Sequence, residues 1–131
     1  MTEKGPITRQ QERAQTAYKC ISPRAKDSSS KEIVSQEDND KYSQLAKKFP
    51  SLVHNCGLAQ ALAFVQAKEK DQNVGKAYLS HLSRVMGLKE EDDLGTLSRN
   101  EDLIKYQRLT HEAIESATWL KRYSEALLEK D

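Results

Sequence analysis

The sequence predicts an all-α protein, folded as a single compact bundle of about five or six helices with a long C-terminal helix. The stretch 102–130 contains no Gly or Pro, and its apolar residues recur at helical steps of three and four. They are Leu103, Tyr106, Leu109, Ala113, Ala117, Leu120 and Leu127. No segment alternates apolar and polar residues as a half-buried strand does. The length of 131 residues, with 37% hydrophobic content, fits one helical domain spanning 1–131.

The chain opens with a predicted helix that ends at a proline. Its apolar stripe is Ile7, Ala14, Ala17, Tyr18 and Ile21. Thr8 is its expected N-cap, and Ser22-Pro23 ends it because a residue before Pro avoids helical geometry. Residues 23–39 are polar and rich in Ser, which predicts a surface loop that is mobile at least in part.

A second helix has the clearest pattern in the chain. Its apolar face is Tyr42, Leu45, Ala46, Phe49, Leu52, Val53 and Cys56. Asp38, Asn39 or Asp40 is expected to cap its start. Pro50 is expected either to kink this helix or to split it in two, and Gly57 to stop it.

The segment 58–68 is apolar almost all round, which is typical of a helix surrounded by others. We therefore expect it to pack against the long C-terminal helix, with Phe64 in the core, as we expect of Leu120. A polar connection at 68–73 leads into another amphipathic helix, which Gly87 closes.

The residues between Gly87 and the long helix complete the predicted elements. They include the acidic run 90–93, which predicts a solvated loop, and a short helical piece at 96–100.

Several functional classes find no support in the sequence. A membrane span needs about eighteen consecutive apolar residues, and the chain has no such run. The N-terminus lacks the apolar core of a signal peptide, so we expect a cytoplasmic protein. Cys20 and Cys56 are expected to be reduced and buried.

Catalytic, metal and cofactor sites are also not predicted. His54, His81 and His111 lie on three different predicted helices, and His81 is expected at the edge of the core. His54 and Cys56 are two positions apart on a helix and diverge, so they cannot chelate one metal. No glycine-rich phosphate-binding motif is present.

Charge is segregated along the chain although the net charge is only +1. Residues 1–26 and 41–86 are basic, and residues 27–40 and 87–131 are acidic. The basic residues of greatest interest are Lys47, Lys48, Arg108, Lys121 and Arg122. They form either a basic face or ordinary helix surface, with pairs such as Arg108–Glu112 and Lys121–Glu125.

Trp119, the only tryptophan, lies well away from the apolar centre of its helix. Its helical neighbours on that side are Arg108, Arg122 and Tyr123. Either another helix packs there, or Trp119 and Tyr123 anchor a subunit interface, because aromatic residues are enriched in interface hot spots.

Three stretches carry a family resemblance. They are FPSLVHNCGLAQALAFVQAK at 49–68, YQRLTHEAIESATWLKRYSEALLEK at 106–130, and the N-terminal residues Gln11, Ala14, Ala17 and Tyr18. Together they resemble the small helical subunit of the type III-B CRISPR RNA-silencing (Cmr) complex. The chain departs from that family in the acidic, Ser-rich loop around 27–40 and in the acidic run 90–93.

This resemblance implies a compact helical subunit without catalysis or a cofactor of its own. It implies that copies stack into a small filament beside other Cmr subunits, with guide RNA and target RNA as partners. The basic positions that it implies for the RNA backbone are Lys48, Arg108, Lys121 and Arg122, and Lys47 is added by proximity.

Two other functions remain open. A helical protein–protein adaptor with no RNA contact would have its basic residues neutralised by nearby carboxylates. A small enzyme with an unrecognised site is the third.

Overall fold

The computed structural model describes residues 6–25, 36–69, 73–89 and 91–128. Within these ranges the chain forms six α-helices and one 3-10 turn, and no strand. The helices are α1 (Arg9–Ile21), α2 (Gln36–Cys56), α3 (Leu58–Glu69), α4 (Asn73–Met86), α5 (Leu94–Asn100) and α6 (Leu103–Leu127), and the turn is Ser22–Arg24. In this described part of the chain, no helix is long and apolar enough to cross a membrane. The predicted all-α class and the long C-terminal helix are confirmed.

Helix α1 begins as predicted, at an N-cap formed by Thr8. The Thr8 hydroxyl accepts a hydrogen bond from the Gln11 amide at 3.1 Å, and the Thr8 amide donates to the Gln11 side chain at 2.7 Å. This reciprocal pair satisfies two amides that an uncapped helix would leave without a partner. Pro23 lies in the 3-10 turn that ends the helix.

Helix α2 begins at Gln36, earlier than predicted. Asn39 lies inside it, 2% exposed, and its side-chain amide donates to the carbonyl of Arg24 at 2.8 Å. The prediction of a loop over 23–39 is therefore wrong for residues 36–39, which are helical. Its middle part, 26–35, lies outside the described residues. Of the predicted connection at 68–73, residues 70–72 lie outside them too, and the rest belongs to α3 and α4.

Pro50 and two glycines define how the middle helices run. Helix α2 continues through Pro50, so the proline does not split it. Gly57 and Gly87 have φ angles of 87° and 81°, the left-handed region that favours glycine, and each follows the last residue of a helix. Both predicted stops are confirmed.

The two longest helices form the centre of the bundle. The tyrosine hydroxyl of Tyr106, near the start of α6, accepts a hydrogen bond from the Ala59 amide at 3.2 Å, just beyond the end of α2. Helices α2 and α6, which pack closely, therefore run antiparallel. Both bury small residues, among them Ala46 and Ala117, which lets their backbones approach closely. Leu120 is fully buried, as predicted.

Helix α3 does not pack where its sequence predicted. It lies mainly against α2, α4 and α5, and it meets α6 chiefly through Tyr106 at its first turn. It buries Leu58, Ala61, Leu62 and Val65. Phe64, which the sequence placed in the core, is 36% exposed. Because its neighbours lie on one side, only one face of this uniformly apolar helix can be buried.

One of the remaining expectations needs a smaller correction. Both cysteines are free, but only Cys20 is buried, and Cys56 is exposed at the end of α2. In the acidic run, the described residues 91–93 are exposed, as predicted, and Asp93 also caps α5 by accepting from the Thr96 amide at 2.9 Å and the Thr96 hydroxyl at 2.8 Å.

Candidate functional site

The basic residues of α6 lie on different sides of the helix. Arg108 and Arg122 are exposed, and Lys121 is half-buried. Fourteen residues separate the two arginines, which puts them on similar faces and about 21 Å apart along the axis at 1.5 Å per residue. Lys121 is turned about 100° from Arg122 and cannot share that stripe.

The carboxylate that the sequence paired with Arg108 has other partners. Glu112 accepts hydrogen bonds from Arg9 at 2.8 Å and from Arg13 at 2.6 Å. Its partial burial alone would raise its pKa, but the hydrogen bonds from Arg9 and Arg13 outweigh this and hold the pKa below its usual value. The Arg13 side chain is only 8% exposed and that of Glu112 is 30% exposed, so this cluster joins α1 to α6 in a partly buried position.

The basic residues Arg108, Lys121 and Arg122 of α6 differ from Arg9 and Arg13 in this respect. Within the described part of the chain, no carboxylate lies within ion-pair distance of Arg108, Lys121 or Arg122. The predicted Arg108–Glu112 and Lys121–Glu125 pairs are therefore not formed. This is the arrangement that a basic face requires and that the adaptor interpretation did not predict.

Lys47 and Lys48 are both exposed on α2. The ammonium nitrogen of Lys48 lies 5.7 Å from the centre of the Phe64 ring. A cation within about 6 Å of a ring face is attracted by it. The exposed side of α2 and the exposed side of α3 therefore meet at a lysine and a phenylalanine.

Trp119 and Tyr123 belong to a cluster of three aromatic rings. Their ring centres are 6.0 Å apart in a stacked arrangement, and Tyr18 of α1 meets Tyr123 edge to face at 5.5 Å. Tyr18 is 50% exposed, while Trp119 and Tyr123 are half-buried. Helix α1 thus lies on this side of α6. The cluster still reaches the surface through Tyr18, although the sequence had placed Tyr18 on the apolar stripe of α1.

The three histidines lie in different surroundings and do not converge. His54 is exposed, and His111 lies 3.8 Å from Glu115 on the surface of α6. His81 is bonded inside the bundle, where its Nδ1 lies 2.6 Å from the hydroxyl of Tyr42. Among the described residues no group of three or more potential ligands is placed to hold a metal ion.

A groove of about 630 Å³ lies where the starts of α1 and α6 meet the end of α4. Its lining comprises Arg9, Met86, Leu88, Ile104, Gln107, Arg108, Leu109, His111 and Glu112. Ile104 in this lining is 66% exposed, and the adjacent Leu103 is 70% exposed, although the sequence placed Leu103 on the buried stripe. Nothing in the helical spacing predicted this groove, because helices distant in sequence build it.

Comparisons with known proteins agree with one another. The family model described as CRISPR-associated protein (Cas_Cmr5) matches residues 9–127. The chain is 37% identical over 123 residues to the CRISPR system Cmr subunit Cmr5 of Thermus thermophilus, covering 94% of this chain and 98% of that protein. It is also similar to the X-ray structure of a CRISPR-associated Cmr5 family protein from the same organism. That match has a TM-score of 0.79 at 35% identity and covers 95% of this chain and 100% of the other.

Proposed function

This chain belongs to the Cas_Cmr5 family of CRISPR-associated proteins, as its sequence resemblance predicted, and from this premise we propose that it is a small, non-catalytic subunit of a Cmr ribonucleoprotein complex. Copies of the chain stack beside the other Cmr subunits. Each copy offers basic side chains to the backbone of guide and target RNA. The protein contributes position and charge, and base pairing between the two RNAs supplies the sequence recognition.

The observation that carries the RNA contact is the absence of acidic partners around Arg108, Lys121 and Arg122 within the described residues. A surface arginine paired with a carboxylate has little charge left for phosphate. An arginine on a rigid helix without such a partner can donate two parallel hydrogen bonds to one phosphate. Arg108 and Arg122 share a stripe of α6, so they are the stronger members of the proposed set.

The aromatic cluster supports the contact between subunits. Trp119 and Tyr123 are held by each other and by Tyr18, so their rings lose little freedom when a neighbour covers them. We assign these residues to packing against another protein chain and assign no catalytic group to this subunit.

The test is target capture by the reconstituted complex at several salt concentrations. The double variant Arg108→Gln/Arg122→Gln should weaken capture equally for unrelated target sequences. The slope of log affinity against log salt should become shallower by about 0.7 for each lost contact to a single strand, or about 0.9 to a duplex, taking DNA values as a guide. Target cleavage by the complex should survive once target is bound.

Matched controls are available among lysines that already have a carboxylate nearby. Lys41 lies 3.1 Å from Glu37, and Lys105 lies 3.9 Å from Glu101 on α6 itself. The control variant Lys41→Gln/Lys105→Gln removes the same formal charge and should leave the salt slope unchanged.

The second candidate function, a helical adaptor without RNA contact, has one observation in its favour. The groove beside Leu103 and Ile104 presents apolar surface of the kind that protein partners cover. If the arginine variant assembles normally and captures target with unchanged affinity and slope, packing between subunits is the function that remains.

A further inference from the structure

The groove between the starts of α1 and α6 and the end of α4 combines an aliphatic lining with strongly exposed aliphatic residues. All residues that line it lie within the described part of the chain. Met86 is buried in this lining, Leu88 and Leu109 are half-buried, and Ile104 is exposed, as is the adjacent Leu103. Covering such side chains is favourable, because it removes apolar surface from water. We call the groove together with Leu103 the groove surface.

The charged groups of the lining carry an excess of positive charge. Arg9 and Arg108 line the groove with a single carboxylate, that of Glu112, which already accepts hydrogen bonds from Arg9 and Arg13. The Arg9 side chain is 52% exposed. Within the described ranges only its Nη2 is engaged, by Glu112 and by the carbonyl of Met86 at 3.2 Å. The N–H groups on Nε and Nη1 of Arg9 therefore remain for a further carboxylate.

We propose that the groove surface is a docking site for an acidic amphipathic helix of another protein in the Cmr complex. Apolar side chains one turn apart on that helix lie against Met86, Leu109 and Ile104, and a carboxylate beside them pairs with Arg9. Arg108 stays assigned to RNA phosphate. This inference rests on the proposed function and deepens it, because it states what a neighbouring subunit presents to this chain.

A helix suits this lining better than an extended peptide or RNA. An extended segment docks by adding a strand to an open sheet edge, and the described residues contain no strand. An unpaired base stacks on an aromatic side chain, and no Phe, Tyr or Trp lines the groove. A phosphate placed there would also meet the Glu112 carboxylate, whereas an apolar helix face needs only aliphatic contacts.

A second copy of this chain does not offer such a helix on its described surface. The large apolar residues exposed there are Ile7, Tyr18, Phe64, Leu103 and Ile104. No two of them lie three or four positions apart on one helix, the spacing that an apolar helix face requires. A neutral helix from another protein is also less suitable. It would remove Arg9 from water while a single carboxylate still serves both Arg9 and Arg13.

The first test measures binding of the full-length chain to designed peptides. The acidic probe is a peptide of about 18 residues, long enough to be partly helical alone, with leucines at i, i+3, i+4 and i+7 and flanking glutamates. The neutral probe has glutamine in place of each glutamate. The unaltered chain should bind the acidic probe about fivefold more tightly, because only that probe can pair with Arg9. This comparison alters no residue of the protein.

Variants of the chain then locate the contact. Ile104→Ser should weaken binding of both probes about fivefold, because it removes an apolar contact. Arg9→Gln should weaken only the acidic probe and abolish the preference for it. Lys105→Gln is the matched charge control, because Lys105 lies outside the lining, 3.9 Å from Glu101. Tyr18→Ser removes an exposed apolar residue at the end of α1. Both controls should bind like the unaltered chain.

Three results of these measurements would overturn the inference. If neither probe binds, the groove surface is not a helix site. If both probes bind equally, the partner is not selected for its acidic residues. If Lys105→Gln or Tyr18→Ser weakens binding as much as Arg9→Gln or Ile104→Ser does, the probes bind elsewhere on the protein.

The second test identifies the occupant in the assembled complex. A photoreactive benzoylphenylalanine takes the place of Leu103, which is 70% exposed beside the lining. After illumination, mass spectrometry should find it joined to a segment of another Cmr subunit that has apolar residues at helical spacing and flanking Asp or Glu. Cross-links to RNA, to a second copy or within the same chain, or none at all, would overturn the inference. They would leave the proposed RNA contact standing, because target capture by the Arg108→Gln/Arg122→Gln variant tests that contact separately.

Discussion

Two aromatic rings in the described part of the chain carry a cation over their face, in opposite surroundings. The Arg24 guanidinium lies 4.4 Å from the centre of the Tyr42 ring, which is fully buried. The Lys48 ammonium lies 5.7 Å from the centre of the Phe64 ring, which is 36% exposed. The buried contact cannot exchange partners without disturbing the core. The exposed contact can rearrange without such a disturbance, so the same kind of cation–ring contact stabilises the core at one place and lies at the surface at the other.

The largest test of this comparison replaces a phenylalanine in each region. Phe49 is fully buried, and its ring centre lies 5.3 Å from that of Tyr78. Phe49→Ala should lower the free energy of unfolding by about 3–5 kcal/mol, because it leaves a cavity among Tyr42 and Tyr78. Phe64→Ala should lower it by less than about 1 kcal/mol. Denaturant unfolding followed by circular dichroism measures both, and equal losses would show that Phe64 is part of the core after all.

The two phenylalanines also show where sequence analysis succeeds. Phe49 lies on a helix with a sharp apolar face, so its burial follows from spacing alone. The cap at Thr8 and the stops at Gly57 and Gly87 were equally predictable, because residues within one turn determine them. Local chemistry therefore accounts for nearly every helix boundary that the sequence predicted correctly.

Phe64 could not be placed by the same reasoning. Helix α3 is apolar almost all round, so its own sequence does not say which face is covered. That choice depends on α2, α4 and α5, which lie on one side of it. The partners of Glu112 are distant in the same way, because Arg9 and Arg13 come from the other end of the chain. Asn39, in the first turns of α2, likewise donates to the carbonyl of Arg24, fifteen residues earlier in the chain.

The pH dependence of stability tests the buried region through His81. Burial, which has the largest effect, and the charges of Arg24 and Arg84 together lower the pKa of His81 to about 4. In the unfolded chain the pKa is about 6.5. The stability that depends on neutral His81 is fully present above pH 6.5 and is lost as the pH falls towards 4. The total loss should be about 2–3 kcal/mol, measured by denaturant unfolding at a series of pH values.

The control for this titration is another histidine. His111 has a side chain that is 73% exposed, so His111→Gln should leave the pH profile unchanged, whereas His81→Gln should flatten it between pH 6.5 and 4. Glu112 adds a separate loss at lower pH, because its folded pKa lies below its usual value. A profile that stays flat down to pH 4.5 in the unaltered protein would contradict the buried, neutral state of His81.

Ion pairs show the same contrast between a buried and an exposed region, because Arg13 is buried beside Glu112 whereas Arg108 and Arg122 are exposed. Glu112→Gln leaves Arg13, whose side chain is 8% exposed, without its counter-charge, and should lower the free energy of unfolding by about 2 kcal/mol. Glu115→Gln, one helical turn later, is the matched control, because among the described residues Glu115 contacts only the exposed His111, at 3.8 Å. It should change the free energy of unfolding by no more than about 0.5 kcal/mol. Thermal and denaturant melts of the two variants give the difference directly, and equal effects would mean that the Arg13 contact adds nothing to stability.

The smallest effect on stability is expected where the effect on function should be greatest. Arg108 and Arg122 have no ion-pair partner among the described residues and lie on the exposed side of α6. Arg108→Gln/Arg122→Gln should therefore change the free energy of unfolding by no more than about 0.5 kcal/mol. Glutamine is also a good helix former, so α6 itself should be unaffected. If denaturant melts show a loss near 2 kcal/mol, these arginines stabilise the fold as Arg13 does, and any weakening of RNA capture in the double variant would have to be attributed to unfolding.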